Sequence, residues 1–283
     1  MTNIDSSQVT VEKDVVFGRG GDRDLLCDVY RPPVGSEKST AIIHIHGGGF
    51  RGGSKEGART AKPLAALGYV CVAMQYRLSG EAKWPAQIED VKTCIRWVRA
   101  NAGELGVDPA KVVVCGYSAG SHLALVAAGS QNLPALEGTG GNPSAGTDLA
   151  ACVAFYPPAS MERRPDGSTP EVMAAAASDD DIRRASPITY VGPGYPPTIL
   201  LHGTADTALG VENSFRLYEA LTAAGAKVEL HILEGLEHIF DTYPEFAGLS
   251  ASAIDLFVDR HVVNPRVYPG RLPQAAAAPA GVP

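Results

Sequence analysis

The apolar run Val112-Val113-Val114-Cys115 ends in Gly116-Tyr117-Ser118-Ala119-Gly120 and passes straight into Ser121-His122-Leu123-Ala124-Leu125-Val126-Ala127-Ala128. Strand, tight turn and helix follow with no spacer, which commits the chain to a sheet whose strands feed helices. Side chains at 116 and 120 would collide with neighbouring strands, so glycine is required there, and Ser118 must accept strained dihedrals. Such a strand-to-helix corner, the nucleophile elbow, lifts the serine Oγ clear of the sheet. It also aims the helix's amino end and its free N–H groups at the place where negative charge would develop.

The rest of the chain repeats the alternation. Strands near Val9 to Phe17 and Leu25 to Tyr30, separated by Gly18-Arg19-Gly20-Gly21-Asp22, predict an antiparallel hairpin. Strands at Ala41 to Ile45, Tyr69 to Met74, Lys111 to Cys115, Leu149 to Phe155, Pro197 to Leu201 and Val228 to Leu233 are then interleaved with helices: one ending in Pro63 to Leu67, one starting at Pro85, one after Ser118 and one near Val211 to Ala224. An α/β protein with a mostly parallel central sheet and helices on both faces is expected. Ile88, Val91, Ile95 and Val98 recur at helical spacing with Glu89, Lys92 and Arg96 between them, which predicts one face on the sheet, with Trp97 as packing. From 157 to 196 the pattern breaks, and a small lid insertion at the carboxyl edge of the sheet is predicted there, its acidic run Asp179-Asp180-Asp181 being a solvated helix start. Residues 1–262 read as a single domain and the Pro- and Ala-rich 263–283 as a loosely held tail.

A serine at an elbow needs an acid and then a histidine on loops after later strands. The exit of the 197–201 strand, His202-Gly203-Thr204-Ala205-Asp206, offers a carboxylate, and the exit of the 228–233 strand, Glu234-Gly235-Leu236-Glu237-His238-Ile239-Phe240, offers an imidazole. Ser118, Asp206 and His238 are therefore the candidate catalytic residues. Glu234 and Glu237 are too close in sequence to His238 to reach its Nδ1 from behind, and His122 precedes any acid, which makes it a packing or surface residue. His202 and His231 read as core or edge histidines. His44 and His46 share a strand face without an accompanying cysteine or carboxylate cluster, so no metal site is predicted and His46 is expected to shape the following loop. That loop, His46-Gly47-Gly48-Gly49-Phe50, can turn successive N–H groups inward as an oxyanion hole. Ala119 N–H is a further donor, and Phe50, Tyr117, Tyr156 and Phe240 are the candidate lining of an apolar substrate pocket.

HGGGF at 46–50, GYSAG at 116–120, HGTAD at 202–206 and the His238 loop together resemble the α/β-hydrolase fold, in its carboxylesterase branch with the hormone-sensitive-lipase-like esterases. Gln75-Tyr76-Arg77-Leu78, Trp84-Pro85-Ala86 and Asp90 are similar to the pattern that links oxyanion loop and elbow in that family. The resemblance runs from about Ile42 to Phe257. It implies that Gly48 and Gly49 supply oxyanion N–H groups beside Ala119. With little more than two strands before Ile42, the helical cap of lipase-like relatives is not expected, and the site should be more open. The run 118–124 is also similar to capless acetyl and feruloyl esterases and to kynurenine formamidases, whose oxyanion motif ends in tryptophan where this chain has Phe50.

Composition narrows the partners. A net charge of -7 argues against nucleic acid and anionic membranes. Five cysteines, most at strand positions, read as buried thiols, and the start Met1-Thr2-Asn3-Ile4-Asp5 has no leader pattern, so a soluble cytoplasmic protein is expected. The expected activity is hydrolysis of a small short-acyl ester without a cofactor. Cleavage of an amide by the same groups, as in an arylformamidase-like enzyme, and a non-catalytic receptor are the alternatives, and homo-oligomerisation is left open.

Overall fold

The computed structural model describes residues 4–268. Eight strands form one sheet: β1 (Thr10–Gly20), β2 (Arg23–Arg31), β3 (Ala41–Ile45), β4 (Val70–Met74), β5 (Val112–Tyr117), β6 (Ala151–Phe155), β7 (Thr198–Gly203) and β8 (Val228–Leu233). Their spatial order is β1-β2-β4-β3-β5-β6-β7-β8. β1 pairs with β2, and β2 with β4, in antiparallel fashion, while every pair from β4 to β8 is parallel. The expected hairpin is present, with a tighter turn than predicted. The strands run through Gly20 and resume at Arg23, because Gly21 adopts a φ of +59° and closes the turn in two residues.

Helices α1 (Ala61–Ala66), α2 (Ala86–Ala100), α3 (Ala102–Leu105), α4 (Ala119–Gly129), α5 (Asp179–Arg184), α6 (Glu212–Ala223) and α7 (Pro244–Val258) complete the layers. Successive residues of a strand point to opposite faces. Accordingly Val112 and Val114 of β5 enter one core with α2, α4 and α6, while Val113 and Cys115 enter the other with α1 and α7. Burial on both faces explains why these strands read as unbroken apolar runs. The sequence reading assigns no helix to α7, whose apolar residues do not all lie on one side: Ala251, Ile254 and Phe257 are buried, but Leu249 and Leu256 are exposed.

Helix α2 departs from a one-faced helix. Its Lys92 and Arg96 are buried, not solvated. The segment after α4 folds over them: Lys92 Nζ donates to Ser130 O and, at 2.7 Å, to Glu137 Oε1, and Arg96 Nη1 donates to Glu137 Oε2 at 2.8 Å. Buried cations are tolerated only when paired in this way. The 157–196 segment packs on α4. His122 Nε2 meets Ala185 O at 2.6 Å and Tyr195 Oη donates to Leu125 O at 2.6 Å. Ser178 caps α5 reciprocally with Asp181, so the acidic run is a helix start. Of the expected tail, Val263 closes the last helical turn and 264–268 follow it, with Arg266 Nη1 on Asp259 Oδ2 at 2.7 Å; the remainder lies outside the described residues.

Candidate active site

Ser118 sits between β5 and α4 with φ 53° and ψ -116°, the strained corner that its flanking glycines imply. The reason for those glycines is specific. A Cβ on Gly120 would stand 2.0 Å from Ile45 O of β3, and one on Gly116 would stand 2.2 Å from Gly120 O of the helix itself. One of the two expected collisions is thus with a strand and the other with the helix start. Ser118 N donates to Phe155 O at 3.1 Å, which ties the corner to the end of β6.

The loops after β7 and β8 meet beside it. Thr204 N donates to Leu233 O at 2.9 Å and Ala205 N to Leu236 O at 3.0 Å, so the two loops are stitched by backbone bonds. Gly203 allows this, since a Cβ there would lie 2.1 Å from Leu236 O. The result is a continuous run of side chains. Ser118 Oγ lies 2.9 Å from His238 Nε2, and His238 Nδ1 lies 2.6 Å from Asp206 Oδ2. Asp206 Oδ1 accepts the N–H groups of Ala208 at 2.9 Å and Leu209 at 2.8 Å. These bonds fix the carboxylate and compensate its burial.

A second imidazole reaches the same carboxylate oxygen. His202 Nε2 lies 3.1 Å from Asp206 Oδ2 and 2.8 Å from Leu209 O, while its Nδ1 lies 2.7 Å from Ser214 Oγ. Two acceptors on one nitrogen require that nitrogen to carry the proton, so Ser214 donates to Nδ1. Burial holds the His202 pKa below its ordinary value, which keeps the ring neutral. The sequence reading of His202 as a core histidine misses this contact. Its only signal is a position four residues before Asp206.

The glycine loop lies across from the serine. Gly48 and Gly49 have φ of +111° and +61°. Among the described residues, no backbone carbonyl or side chain accepts from the N–H groups of Gly48, Gly49 or Ala119. His46 shapes the loop as expected: Nδ1 meets Gly47 O at 2.7 Å, and the ring stacks on Tyr76 with centroids 4.2 Å apart. The Tyr76-to-Asp90 pattern now has a physical basis. Tyr76 Oη donates to His46 O at 3.0 Å, and Arg77 is clamped on Asp90 through Nη2 at 2.7 Å and Nε at 2.9 Å.

A cavity of about 330 Å³ opens onto these groups, lined by Gly47, Gly48, Gly49, Gly57, Arg59, Tyr117, Ser118, Tyr156, His238 and Ile239. Two of the four expected pocket aromatics are there. Tyr117 is anchored by Thr60 Oγ1 at 2.6 Å, and the Tyr156 ring packs 4.4 Å from the His238 imidazole. Phe50 and Phe240 are corrections. Phe50 turns into the core, edge-on to His122 at 5.3 Å, and Phe240 is buried against Phe155 and Tyr156. Phe240 follows His238 by two positions and Phe50 follows His46 by four, and the chain's reversal there directs each inward. Arg59 and its partner Asp241 were not singled out from sequence, because their meeting joins loops 182 residues apart. Among the described residues no group of His, Cys, Asp and Glu could hold a metal ion, and no helix is long and apolar enough to cross a membrane.

Strand order, the serine corner and the two stitched loops define an α/β-hydrolase fold. The chain belongs to the BD-FAE family, which matches residues 27–221. It is similar to esterase LipQ of Mycobacterium tuberculosis, 34% identical over 81% of this chain and 57% of LipQ, and to carboxylesterase NlhH of the same organism, 32% identical over 79% of this chain and 73% of NlhH. The chain spans about three fifths of the length of LipQ and of the related LipC and LipM. Among solved structures it is similar to the thermophilic esterase Est2 of Thermogutta terrifontis, with TM-score 0.75, 28% identity, and 92% and 95% of the two chains covered.

Proposed function

We propose that this chain is a serine carboxylesterase that hydrolyses small, short-acyl carboxylic esters through an acyl-enzyme. The observation that carries the reading is the hydrogen-bonded run from Ser118 Oγ through His238 to Asp206, at 2.9 and 2.6 Å, beside the N–H groups of Gly48, Gly49 and Ala119, which engage no acceptor among the described residues. In this scheme His238 Nε2 takes the Ser118 proton as Oγ attacks the ester carbonyl carbon. The carbonyl oxygen becomes an oxyanion and accepts hydrogen bonds from Gly48, Gly49 and Ala119, each such donor being worth about 3 kcal/mol of barrier. His238 then protonates the departing alkoxide, leaving the acyl group on Ser118. Water, deprotonated by His238, releases the acid and restores the serine. Asp206 holds the Nδ1–H tautomer throughout.

A short acyl group suits a cavity of about 330 Å³. It is also supported by the Thermogutta terrifontis relative, which is described with propionate and with butyrate bound. The proposal extends to a cytoplasmic location, supported by five buried cysteines that make no disulfide. Turnover of p-nitrophenyl esters of increasing acyl length, with an N-formyl anilide alongside, tests the reading. Acetate to butyrate should be cleaved best, and Ser118→Ala should lose at least about 10⁴-fold in kcat. Undiminished ester turnover by that variant would remove Ser118 from the chemistry.

A further inference from the structure

We propose that Arg59 forms an anion-recognition subsite within the serine cavity, so that the preferred esters carry a negatively charged group, a carboxylate or its equivalent, on the acyl or the alcohol part. This deepens the esterase reading and rests on it. Of the described residues lining the cavity, Arg59 alone bears a permanent charge, and none is a carboxylate.

The guanidinium is held, not free. Its Nη1 donates to Asp241 Oδ2 at 3.1 Å, and Tyr156 Oη donates to Asp241 Oδ1 at 2.5 Å. Asp241 is buried, with no exposed side-chain surface, so leaving it without a cation would be costly, and Arg59 cannot swing away from the wall. One donor of five is thereby used, and Arg59 makes no other side-chain hydrogen bond among the described residues. The side chain stays 33% exposed. A guanidinium serving only as the counter-ion of Asp241 has no need to face the cavity. One placed on the wall, with its orientation already fixed, offers an entering anion a planar fork at little entropic cost. Because Asp241 cancels the net charge of the pair, the attraction acts through short contacts in the cavity, not through long-range steering. Tyr156 links the subsite to the reaction centre, since it both anchors Asp241 and packs on His238.

Matched ester pairs test the idea on the intact protein. On the acyl side, the p-nitrophenyl monoester of adipic acid is compared with methyl p-nitrophenyl adipate; on the alcohol side, meta-carboxyphenyl butyrate is compared with meta-carbamoylphenyl butyrate. The wild type should favour the anionic member in at least one pair by roughly tenfold in kcat/KM, and the preference should shrink as chloride, which competes for the guanidinium donors, is raised to about 0.5 M. The arm that responds reports on which side of the scissile bond the charge sits. The anionic-to-neutral ratio should collapse in Arg59→Gln, return in part in Arg59→Lys, and be unaffected by Arg51→Gln, whose guanidinium is exposed and paired with Glu171. No anionic preference in either wild-type pair overturns the proposal, as does a preference that Arg59→Gln leaves intact. Should Arg59→Gln not fold, Arg59→Lys with the salt dependence decides, and an unchanged, salt-insensitive ratio overturns it. If neutral esters are also not cleaved in a Ser118-dependent way, the esterase reading itself has failed; if they are, only the subsite has.

Discussion

Among the described residues, eight other than glycine have positive φ, and they fall into two sets. Asp14, Ser39, Asn132 and Asn142 lie in bulges and turns away from the serine, and all are small polar types that tolerate the left-handed region. Phe50, Ser118, Tyr156 and Ile239 surround or back the cavity, and three of them are bulky or β-branched. Away from the site, residue type relieves the backbone. At the site, each residue is held against its own preference, at about 1–3 kcal/mol each, by contacts from elsewhere: Ser79 N on Phe50 O at 2.8 Å, Ser118 N on Phe155 O at 3.1 Å, and Tyr156 N on Leu201 O at 2.7 Å. Strain therefore collects where loops from different strands must meet.

The contrast is broken most severely at the closest approach. Gly120→Ala drives a Cβ against the backbone of β3 and should cost about 3–5 kcal/mol in urea denaturation. Gly103→Ala in α3, where nothing lies within 4 Å, should be neutral or stabilising. His202→Asn should lower kcat about tenfold with little change in KM, by loosening Asp206. A purely structural His202 would instead lower the folded fraction and leave kcat per folded molecule unchanged.

Acid sharpens the comparison next. Burial holds His44 down to about 3 and His122 down to about 4, below an unfolded value near 6.5. The unfolded chain therefore binds protons first as pH falls. The stability from these neutral rings is complete above about pH 6.5 and should be lost at about 1 kcal/mol per pH unit for each ring as pH falls toward 4. Denaturation midpoints at stepped pH measure this, and His122→Gln should flatten the slope. The smallest effect is the most discriminating. Asn142→Gly should change stability by no more than about 0.5 kcal/mol and activity not at all. Ile239→Gly should change stability little, because relieved strain is offset by the greater entropy of the unfolded chain, yet lower kcat several-fold by freeing the backbone next to His238.

Much of this was legible in the chain. Unbroken apolar runs marked the inner strands because both of their faces are buried, and the elbow was legible because Gly116 and Gly120 answer to contacts of 2.2 and 2.0 Å that no other residue could accept. Ser118, Asp206 and His238 could be picked out because each follows an apolar strand by a short turn. Phe50 and Phe240 could not be assigned correctly, since an aromatic after a functional loop has the same composition whether it faces the cavity or the core. Lys92 and Arg96 looked like a solvated face because the segment that buries them lies some forty residues on, at Glu137 and Gly141.

What the sequence by itself determined was the order of the strands and of most of the helices, and the few loops that carry the candidate side chains, because periodicity and turn chemistry act over neighbouring residues. Only the tertiary structure decided that His202 shares an oxygen of Asp206 with His238, and that Arg59 stands in the cavity wall on a buried Asp241. Those partners are set by where the loops after β3, β7 and β8 converge at one end of the sheet, and a distance across a sheet leaves no periodic trace along the chain.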